Sequence, residues 1–442
     1  MNAHCAEAAG RPNVLLILAD DLGYGDTSVP PFVGTGIKTP ELEKMAKRGL
    51  TMTNFHAAAP ICSPSRASIV TGLFSWRVGI AGVYEYGKKD GRTNRNDWMN
   101  HMPTSAMAFR DAGYYTAHVG KWHLGGMRQT DVDERLQHKQ CSHPGPNQHG
   151  FTEYVSMTEG PDDPRQGPVM QRGAMLHTMG GKNLLRNELK SNCEAQEAIR
   201  IMKQTKDNNM SFYMHVWFEQ PHGPWNLMPG FTDWYGGPRL NRGSRMDCFK
   251  TMVSAMDESV GRILKALHDL DLEEDTIVLF TSDNGPEINA GTTAGFKNRK
   301  RFLHEGGLRV PAIWQWPGHI EPGIKIADFG VGVDIYPTFL EAAGVKKPEH
   351  VKLDGLSLLP YFGFFSADNV LRGDLPLKYE GIDLVSRMWE LENRIAMWYV
   401  EFEHPRNAAL ISHNFKIISG PEHLPIEIYD LLSDPFEKVN LI

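Results

Sequence analysis

Several short stretches of the 442-residue chain combine reactive and charged side chains at spacings that could do chemistry. The densest is Pro60-Ile61-Cys62-Ser63-Pro64-Ser65-Arg66-Ala67-Ser68-Ile69-Val70-Thr71-Gly72. Pro64 suits the first turn of a helix, where its missing N–H costs nothing. Cys62 is then expected just before the helix N-terminus, where unpaired N–H groups and the helix dipole favour negative charge. Arg66, one turn in, could face the same anion. That reads as a nucleophile at an anion-binding helix end; a buried structural cysteine is the plain alternative. Asp20-Asp21 follows an apolar run, and Ser282-Asp283-Asn284-Gly285 follows another. Asp and Asn are ordinary turn residues, but brought together these four would form an oxygen cage for a hard cation. With no Cys/His ligand set beside them, calcium is favoured over zinc.

Gly120-Lys121-Trp122-His123 adds an ammonium and an imidazole that an extended segment points to one side. Gln220-Pro221-His222-Gly223-Pro224-Trp225 places another imidazole in a Pro/Gly turn. A basic run from Lys297 to Arg301 leads into Glu305-Gly306-Gly307, although such runs are usually solvated faces.

The elements that must position these groups are legible. Runs at 13–18, 114–119, 211–218 and 276–280 read as strands, the first, third and fourth with the unbroken apolarity of strands in a parallel sheet. Open α/β sheets place ligands just past such strand ends. Further strands are expected at 52–56 and 312–316. Helices are expected at 39–48, opened by Thr39-Pro40-Glu41 and closed by Gly49, and at 104–111, 192–206, 246–270 and 334–343. The 246–270 helix carries an apolar stripe of Met252, Met256, Val260, Ile263, Leu264 and Leu267, so its methionines are core filler. Residues 129–187 show little periodicity and read as a functional loop or disorder. After about residue 364 the pattern changes to short antiparallel strands at 394–402, 410–419 and 427–431.

Composition is that of a globular chain, with 41% hydrophobic and 22% charged residues. A net charge of -7 gives no support for a nucleic-acid partner, though a local basic patch around a small anion is allowed. The apolar run at 14–19 is far too short to span a bilayer, and residues 1–10 contain no apolar core of a secretory signal. Cys5, Cys62, Cys141, Cys193 and Cys248 fit no zinc motif; leaving Cys62 aside, four remain that could pair or stay reduced. Asn209-Met210-Ser211 is a glycosylation triplet of a kind that often arises by chance.

Across all its positions the Cys62 stretch resembles the signature of the type I sulfatases, in which the Cys of Cys-x-Pro-x-Arg is oxidised after translation to formylglycine. Gly113-Tyr114-x-Thr116-x-x-Val119-Gly120-Lys121-Trp122-His123 is similar to that family's second signature. The resemblance implies an alkaline phosphatase-like α/β fold. A large mixed, mostly parallel sheet sandwiched by helices would span 11–364, and a small C-terminal antiparallel α+β domain 365–442. Asp354-Gly355-Leu356-Ser357-Leu358-Leu359-Pro360 resembles the segment before that domain. Residues 430–434 and 437–441 resemble the family's ending, after which further residues usually follow.

The same resemblance implies hydrolysis of a sulfate monoester, of a saccharide above all, with aryl sulfates as surrogates. One calcium ion per chain would sit among Asp20, Asp21, residue 62, Asp283 and Asn284. Arg66, Lys121 and Lys300 would ring the sulfate. Lys300 is selected as the lysine five residues before Glu-Gly-Gly; His304 stands where an aromatic is common, and Lys297 and Arg301 are neighbouring alternatives. Hydrated formylglycine at 62 would attack sulfur to give a covalent hemiacetal sulfate. His222 or Lys300 would protonate the leaving alcohol, and His123 would deprotonate the second hydroxyl. Trp225, Trp234-Tyr235 and the 129–187 stretch would line the leaving-group pocket. The implied partners are a sulfated saccharide or small molecule and a formylglycine-generating enzyme, in a secreted, periplasmic or lysosomal setting. The rivals are a phosphate or phosphonate monoester hydrolase of the same superfamily and an inactive sulfoglycan-binding homologue.

Overall fold

Asn13–Ala19 (β1) is buried at every residue, and the main sheet is built outward from it. The structure is a computed structural model that describes residues 10–34, 36–83, 102–124, 145–157, 170–172, 175–177, 190–237, 240, 244–362, 384–399, 408–420 and 425–442. The other strands of this sheet are β2 (Leu50–His56), β3 (Tyr115–Lys121), β4 (Glu153–Met157), β5 (Met170–Arg172), β6 (Met175–His177), β7 (Phe212–Trp217), β8 (Thr276–Ser282), β9 (Ala312–Gln315) and β10 (Ile324–Val331). Their order is β10-β2-β9-β8-β1-β7-β3-β4-β5-β6. The central block β8-β1-β7-β3-β4 is parallel throughout. Strand β9 runs antiparallel to both its neighbours, which makes the sheet mixed.

Alternation along β1 splits the core into two layers. Val14, Leu16 and Leu18 pack on one face, with residues of the Cys62–Thr71, Ser105–Asp111 and Ile335–Ala342 helices. Leu15, Ile17 and Ala19 pack on the other, with the Pro40–Lys47, Lys190–Asp207 and Arg245–Asp269 helices. Helices on both faces explain why the central strands are apolar without a break. Each fully buried Leu, Ile or Val side chain contributes roughly 1.5–3 kcal/mol. The stripe expected on the long helix is observed: Met252, Met256, Val260, Ile263 and Leu267 are buried.

A second sheet, β11 (Ile395–Tyr399), β12 (Ala408–Ser412), β13 (Phe415–Ser419) and β14 (Glu427–Asp430), is antiparallel in sequential order. Its inner face brings Trp398, Ala409, Ile411, Ile418 and Tyr429 against Phe74, Leu308 and Val331 of the larger unit.

Three expectations are corrected. The 410–419 stretch is a hairpin, not one strand, because His413 turns the chain with φ 54. The stretch 129–187 is not structureless throughout, since it holds β4, which extends the parallel sheet beyond β3, and the short β5 and β6; most of it lies outside the described residues. Strand β10 was not expected; it pairs with β2 at the sheet's edge, where half-exposed Ile and Lys alternate and leave no continuous apolar run. Cys62, Cys193 and Cys248 take part in no disulfide, and Cys5 and Cys141 lie outside the described residues. Among the described residues no helix is long and apolar enough to cross a membrane.

The Pro40–Lys47 helix is capped from a distance. Thr39 makes no side-chain cap, and the Asp257 carboxylate instead accepts from the Glu41 N–H (3.0 Å) and the Leu42 N–H (2.8 Å). Asp257→Ala should therefore lower stability by about 1–2 kcal/mol, read as a drop in denaturant midpoint at constant slope. An unchanged midpoint would show that water replaces the cap.

Candidate active site

The parallel strands end flush: Ala19 lies opposite Ser282, and Leu18 and Gly120 both lie opposite Trp217. Everything just past those ends therefore converges. Asp283 N–H donates to the Ala19 carbonyl and Asp20 N–H to the Gln220 carbonyl, so the ladder runs on into the site. Asp21 adopts φ 66, a left-handed conformation that Asp tolerates better than most residues. Its N–H donates to Asp283 Oδ1 at 3.1 Å, which helps hold the turn.

Cys62 enters from the other side. It is the first residue of the Cys62–Thr71 helix, with Ile61 as the cap, rather than the residue before the helix, because Pro64 occupies the third position of the first turn. All ten residues of this helix are buried, which accounts for its lack of a polar face. Cys62 Sγ lies 3.5 Å from Asp20 Oδ1, 3.9 Å from Asp21 Oδ1 and 4.0 Å from Lys121 Nζ. Burial, reinforced by Asp20 and Asp283, pushes the thiol well above its usual pKa in spite of Lys121 and Lys300.

Arg66 commits its fork to the protein. Nε and Nη2 donate to Asp283 Oδ2 at 3.0 and 2.8 Å, and Nη1 donates to the Lys121 carbonyl at 2.7 Å. Its guanidinium sits 5.1 Å from the Trp217 ring centre, a contact that sequence periodicity does not announce. Lys121 Nζ pairs with Asp20 Oδ2. Lys300 Nζ reaches Asp21 Oδ2 at 2.6 Å and Glu287 Oε1 at 3.2 Å. Its two alternatives go elsewhere: Lys297 bonds Tyr429, and Arg301 is exposed. The Lys300 loop lies tight against the Asp283-Asn284 turn: a Cβ on Gly306 would stand 2.1 Å from the Asn298 oxygen, and one on Gly285 2.1 Å from the Gly306 oxygen. Glycine is required at both points. Glu287 is the site neighbour that sequence reasoning missed; an acidic residue in a polar loop carries no distinguishing signal.

His222 Nε2 lies 3.6 Å from Asp21 Oδ2, and Nδ1 donates to the Gly223 carbonyl at 2.7 Å. His123 takes φ 54, and its buried Nδ1 has no hydrogen-bond partner. Burial together with Lys121 and Arg66 holds its pKa well below the usual imidazole value, so the ring is neutral. Trp225 Nε1 donates to the Pro221 carbonyl beside His222. Tyr235 bonds Ser254 of the long helix, and Trp234 is exposed.

Charge explains what this pocket can hold. Burial raises the Asp20 pKa, but Lys121, His222, Arg66 and Lys300 outweigh it and hold the carboxyl well below its usual range. Burial and the neighbouring Asp20 push Asp283 up to about 6 in spite of Arg66. Carboxylates this crowded are what a divalent cation relieves. Asn284 Nδ2 donates to Asp21 Oδ1 at 2.7 Å, while the buried Oδ1 of Asn284 has no partner. An unpaired buried carbonyl oxygen beside crowded carboxylates fits a hard cation. Among the described residues, Asp20, Asp21, Cys62 and His222 form the group whose ligating atoms all lie within 4.8 Å of one another.

Comparisons with known proteins bear on the family and the fold. The family model described as Sulfatase matches residues 12–345. Human (Homo sapiens) steryl-sulfatase is 28% identical over 513 residues, covering 98% of this chain and 84% of that protein. Pig (Sus scrofa) N-acetylgalactosamine-6-sulfatase is 32% identical over 374 residues, covering 79% of this chain and 65% of that protein, so the chain matches less than two thirds of the latter's length. The crystal structure of PsFucS1 sulfatase from Pseudoalteromonas sp. superposes with a TM-score of 0.73 at 22% identity, over 99% of this chain and 87% of that one, which shows the fold.

The Asp20 carboxyl gives the site a pH signature. Its folded pKa is depressed, so its contribution to stability is full above the unfolded value of about 3.9 and is lost as pH falls below that. In the presence of chelator, stability should drop steeply below about pH 4, and Asp20→Asn should flatten that acid limb. An identical slope in the variant would remove Asp20 as its source.

Proposed function

The chain belongs to the sulfatase family of sulfuric ester hydrolases, and we propose that it cleaves a carbohydrate sulfate monoester using calcium and a formylglycine made from Cys62. The observation that carries this reading is the meeting of Cys62 Sγ with Asp20, Asp21 and Lys121 inside 4.0 Å, beside the unpaired oxygen of Asn284. Asp20, Asp21, Asp283, Asn284 and residue 62 would hold the calcium. The ion would supply positive charge against the sulfuryl oxygens and lower the pKa of a hydroxyl beside it. Conversion of Cys62 by a formylglycine-generating enzyme would put a hydrated aldehyde, an oxygen nucleophile, where the buried thiol stands.

The chain's own residues do the rest. Lys121 and Lys300 are held in the charged state by Asp20 and Asp21, which overcome burial. They form fixed cations for the dispersed charge of the sulfuryl group. Arg66 braces Asp283 and the Lys121 carbonyl rather than swinging free, so the cage keeps its shape. Lys300 is so strongly protonated that it is a poor acid. His222 is the better proton donor: its Nδ1–H is tied to Gly223, and its half-exposed ring presents Nε2 to the site. As imidazolium it would protonate the departing sugar oxygen. His123, neutral and with an unpaired ring nitrogen, would accept a proton from a hydroxyl at residue 62. Similarity to N-acetylgalactosamine-6-sulfatase, at 32% identity, supports a saccharide, and similarity to steryl-sulfatase, at 28% over 98% of this chain, is why a steryl sulfate belongs in the test panel.

The test is sulfate release from a panel of sulfated saccharides, a steryl sulfate, nitrophenyl sulfate and nitrophenyl phosphate. The saccharide sulfates should lead, and Cys62→Ala should cut turnover on the order of a thousandfold or more with its melting curve retained. Full activity in protein whose peptide mass shows unmodified Cys62 would refute the nucleophile; faster phosphate than sulfate release would refute the class of ester. Calcium should raise the melting temperature in proportion to the logarithm of its concentration above Kd. Asn284→Ala should shift that titration to higher calcium, and an unshifted curve would take Asn284 out of the ligand set.

A further inference from the structure

The loop that delivers Lys300 is held from outside as well as by its own bonds. Asn298 and Arg301 have φ 58 and 76, conformations that non-glycine residues keep only when their surroundings enforce them. Inside the larger unit the loop has few backbone anchors: Lys300 N–H donates to the Pro286 carbonyl and Arg301 N–H to Pro60, on the approach to Cys62. Arg299 adds bonds to the Glu287 and Ile288 carbonyls, and Gly306 N–H donates to the Lys297 carbonyl; a further set of contacts comes from the C-terminal unit. At the loop's start Phe296 stacks on Phe436 with ring centres 5.2 Å apart. Lys297 Nζ donates to the Tyr429 hydroxyl at 2.6 Å. At its end His304 Nε2 meets Glu427 Oε2 at 2.8 Å, while the ring's other nitrogen accepts from Asn298 Nδ2 at 2.9 Å.

The last grip is fully buried. Lys416, on β13, has no exposed surface; its Nζ lies 2.8 Å from Glu305 Oε1 and 3.0 Å from Glu437 Oε1. Glu437 in turn accepts the Glu305 N–H at 2.8 Å, and Arg309 donates to Glu305 at 2.6 Å. Glu305 is thus gripped in a dry pocket by Lys416, by Arg309 and by His56, whose Nε2 lies 3.0 Å from both of its oxygens, and removal of the Lys416 ammonium leaves that buried carboxylate short of a partner. Glu305 begins the turn that packs Gly306 under Asn298, so its carboxylate sets where the 297–305 loop can lie.

We propose that Lys416, on the C-terminal sheet, is a positioning residue for Lys300: by fixing Glu305 and the loop before it, it holds the Lys300 ammonium against Asp21 at the catalytic centre. This rests on the sulfatase reading above for the role of Lys300. The C-terminal sheet is then part of the catalytic apparatus, although none of its strands reaches the reacting atoms.

A double-mutant cycle on the full chain, with residue 62 converted and nitrophenyl sulfate as substrate, tests it. Lys416→Met should lower kcat/KM by about 10- to 100-fold, mainly through kcat, as expected for a displaced catalytic group. In a Lys300→Ala background the same change should cost less than about threefold, because the group it positions is gone. Lys416→Arg should restore most of the activity. An equal loss in both backgrounds, or no loss in either, would overturn the proposal. Should Lys416→Met fail to fold, Tyr429→Phe removes the Lys297 contact together with the hydroxyl's 2.6 Å bond to Glu427, both part of the C-terminal unit's hold on the loop; its smaller loss, about threefold to tenfold, should likewise vanish without Lys300, and additivity would overturn the proposal. Hydrogen exchange of residues 297–301 needs no turnover. It should quicken by about tenfold or more in Lys416→Met or Tyr429→Phe, and unchanged exchange in both overturns the positioning role whatever the activity. A wild type that releases sulfate from no member of the panel, with exchange responding as stated, would overturn the functional reading and leave the clamp standing.

Discussion

Asp20, Asp21 and Asp283 stand within one dry pocket at the carboxyl edge of a parallel sheet, and the surrounding structure is organised to make their charges tolerable. Buried carboxylates lose hydration worth several kcal/mol each, which only close and well-oriented cations can offset. Three cations answer three anions: Lys121 pairs with Asp20, Lys300 with Asp21 and Arg66 with Asp283. The balance is incomplete, as the raised pKa of Asp283 and the unpaired oxygen of Asn284 show. What is left over is a demand for more positive charge at the point where a thiol points in. A pocket built this way would suit a hard cation and an anion together, as the proposed function requires.

That requirement reaches far into the fold. Strands β1, β7, β3 and β8 must end in register, because a slip of one residue would turn Asp20 or Asp283 to the opposite face of the sheet. The helix carrying Cys62 and Arg66 must be buried on all sides, which places it under a cover of other elements rather than on the surface. Lys300 must come from a loop with unfavourable backbone angles, and the C-terminal unit supplies part of the contacts that stabilise it. The smaller sheet packs on the larger unit through Trp398, Ile411 and Ile418, and its charged residues reach the Lys300 loop next to that apolar contact. Packing and chemistry share one interface.

Much of this was legible in the chain. Unbroken apolar runs marked the central strands, since residues buried on both faces leave no alternation to disguise them. The residues just past those runs were then candidates by position alone. Local rules also placed the Pro40–Lys47 and Arg245–Asp269 helices to within a residue or two. The failures share a cause. Edge strand β10 and the 408–419 hairpin are half-exposed, so their pattern resembles that of a loop or of one longer strand. Glu287, Trp217, Asp257 and Lys416 act through partners distant in sequence, and no local pattern encodes such a pairing.

By itself, then, the sequence determined which side chains could do chemistry and that they lie at strand ends, because strand burial and motif spacing are local properties. Only the tertiary structure decided how they are used. It put Cys62 inside the helix rather than ahead of it, turned Arg66 onto Asp283, and paired Lys300 with Asp21 while sending Lys297 to Tyr429. It also tied Lys300 to a sheet more than a hundred residues on (Lys416). Those outcomes depend on which buried charge finds which partner, and desolvation energy is settled only when the whole chain has closed around them.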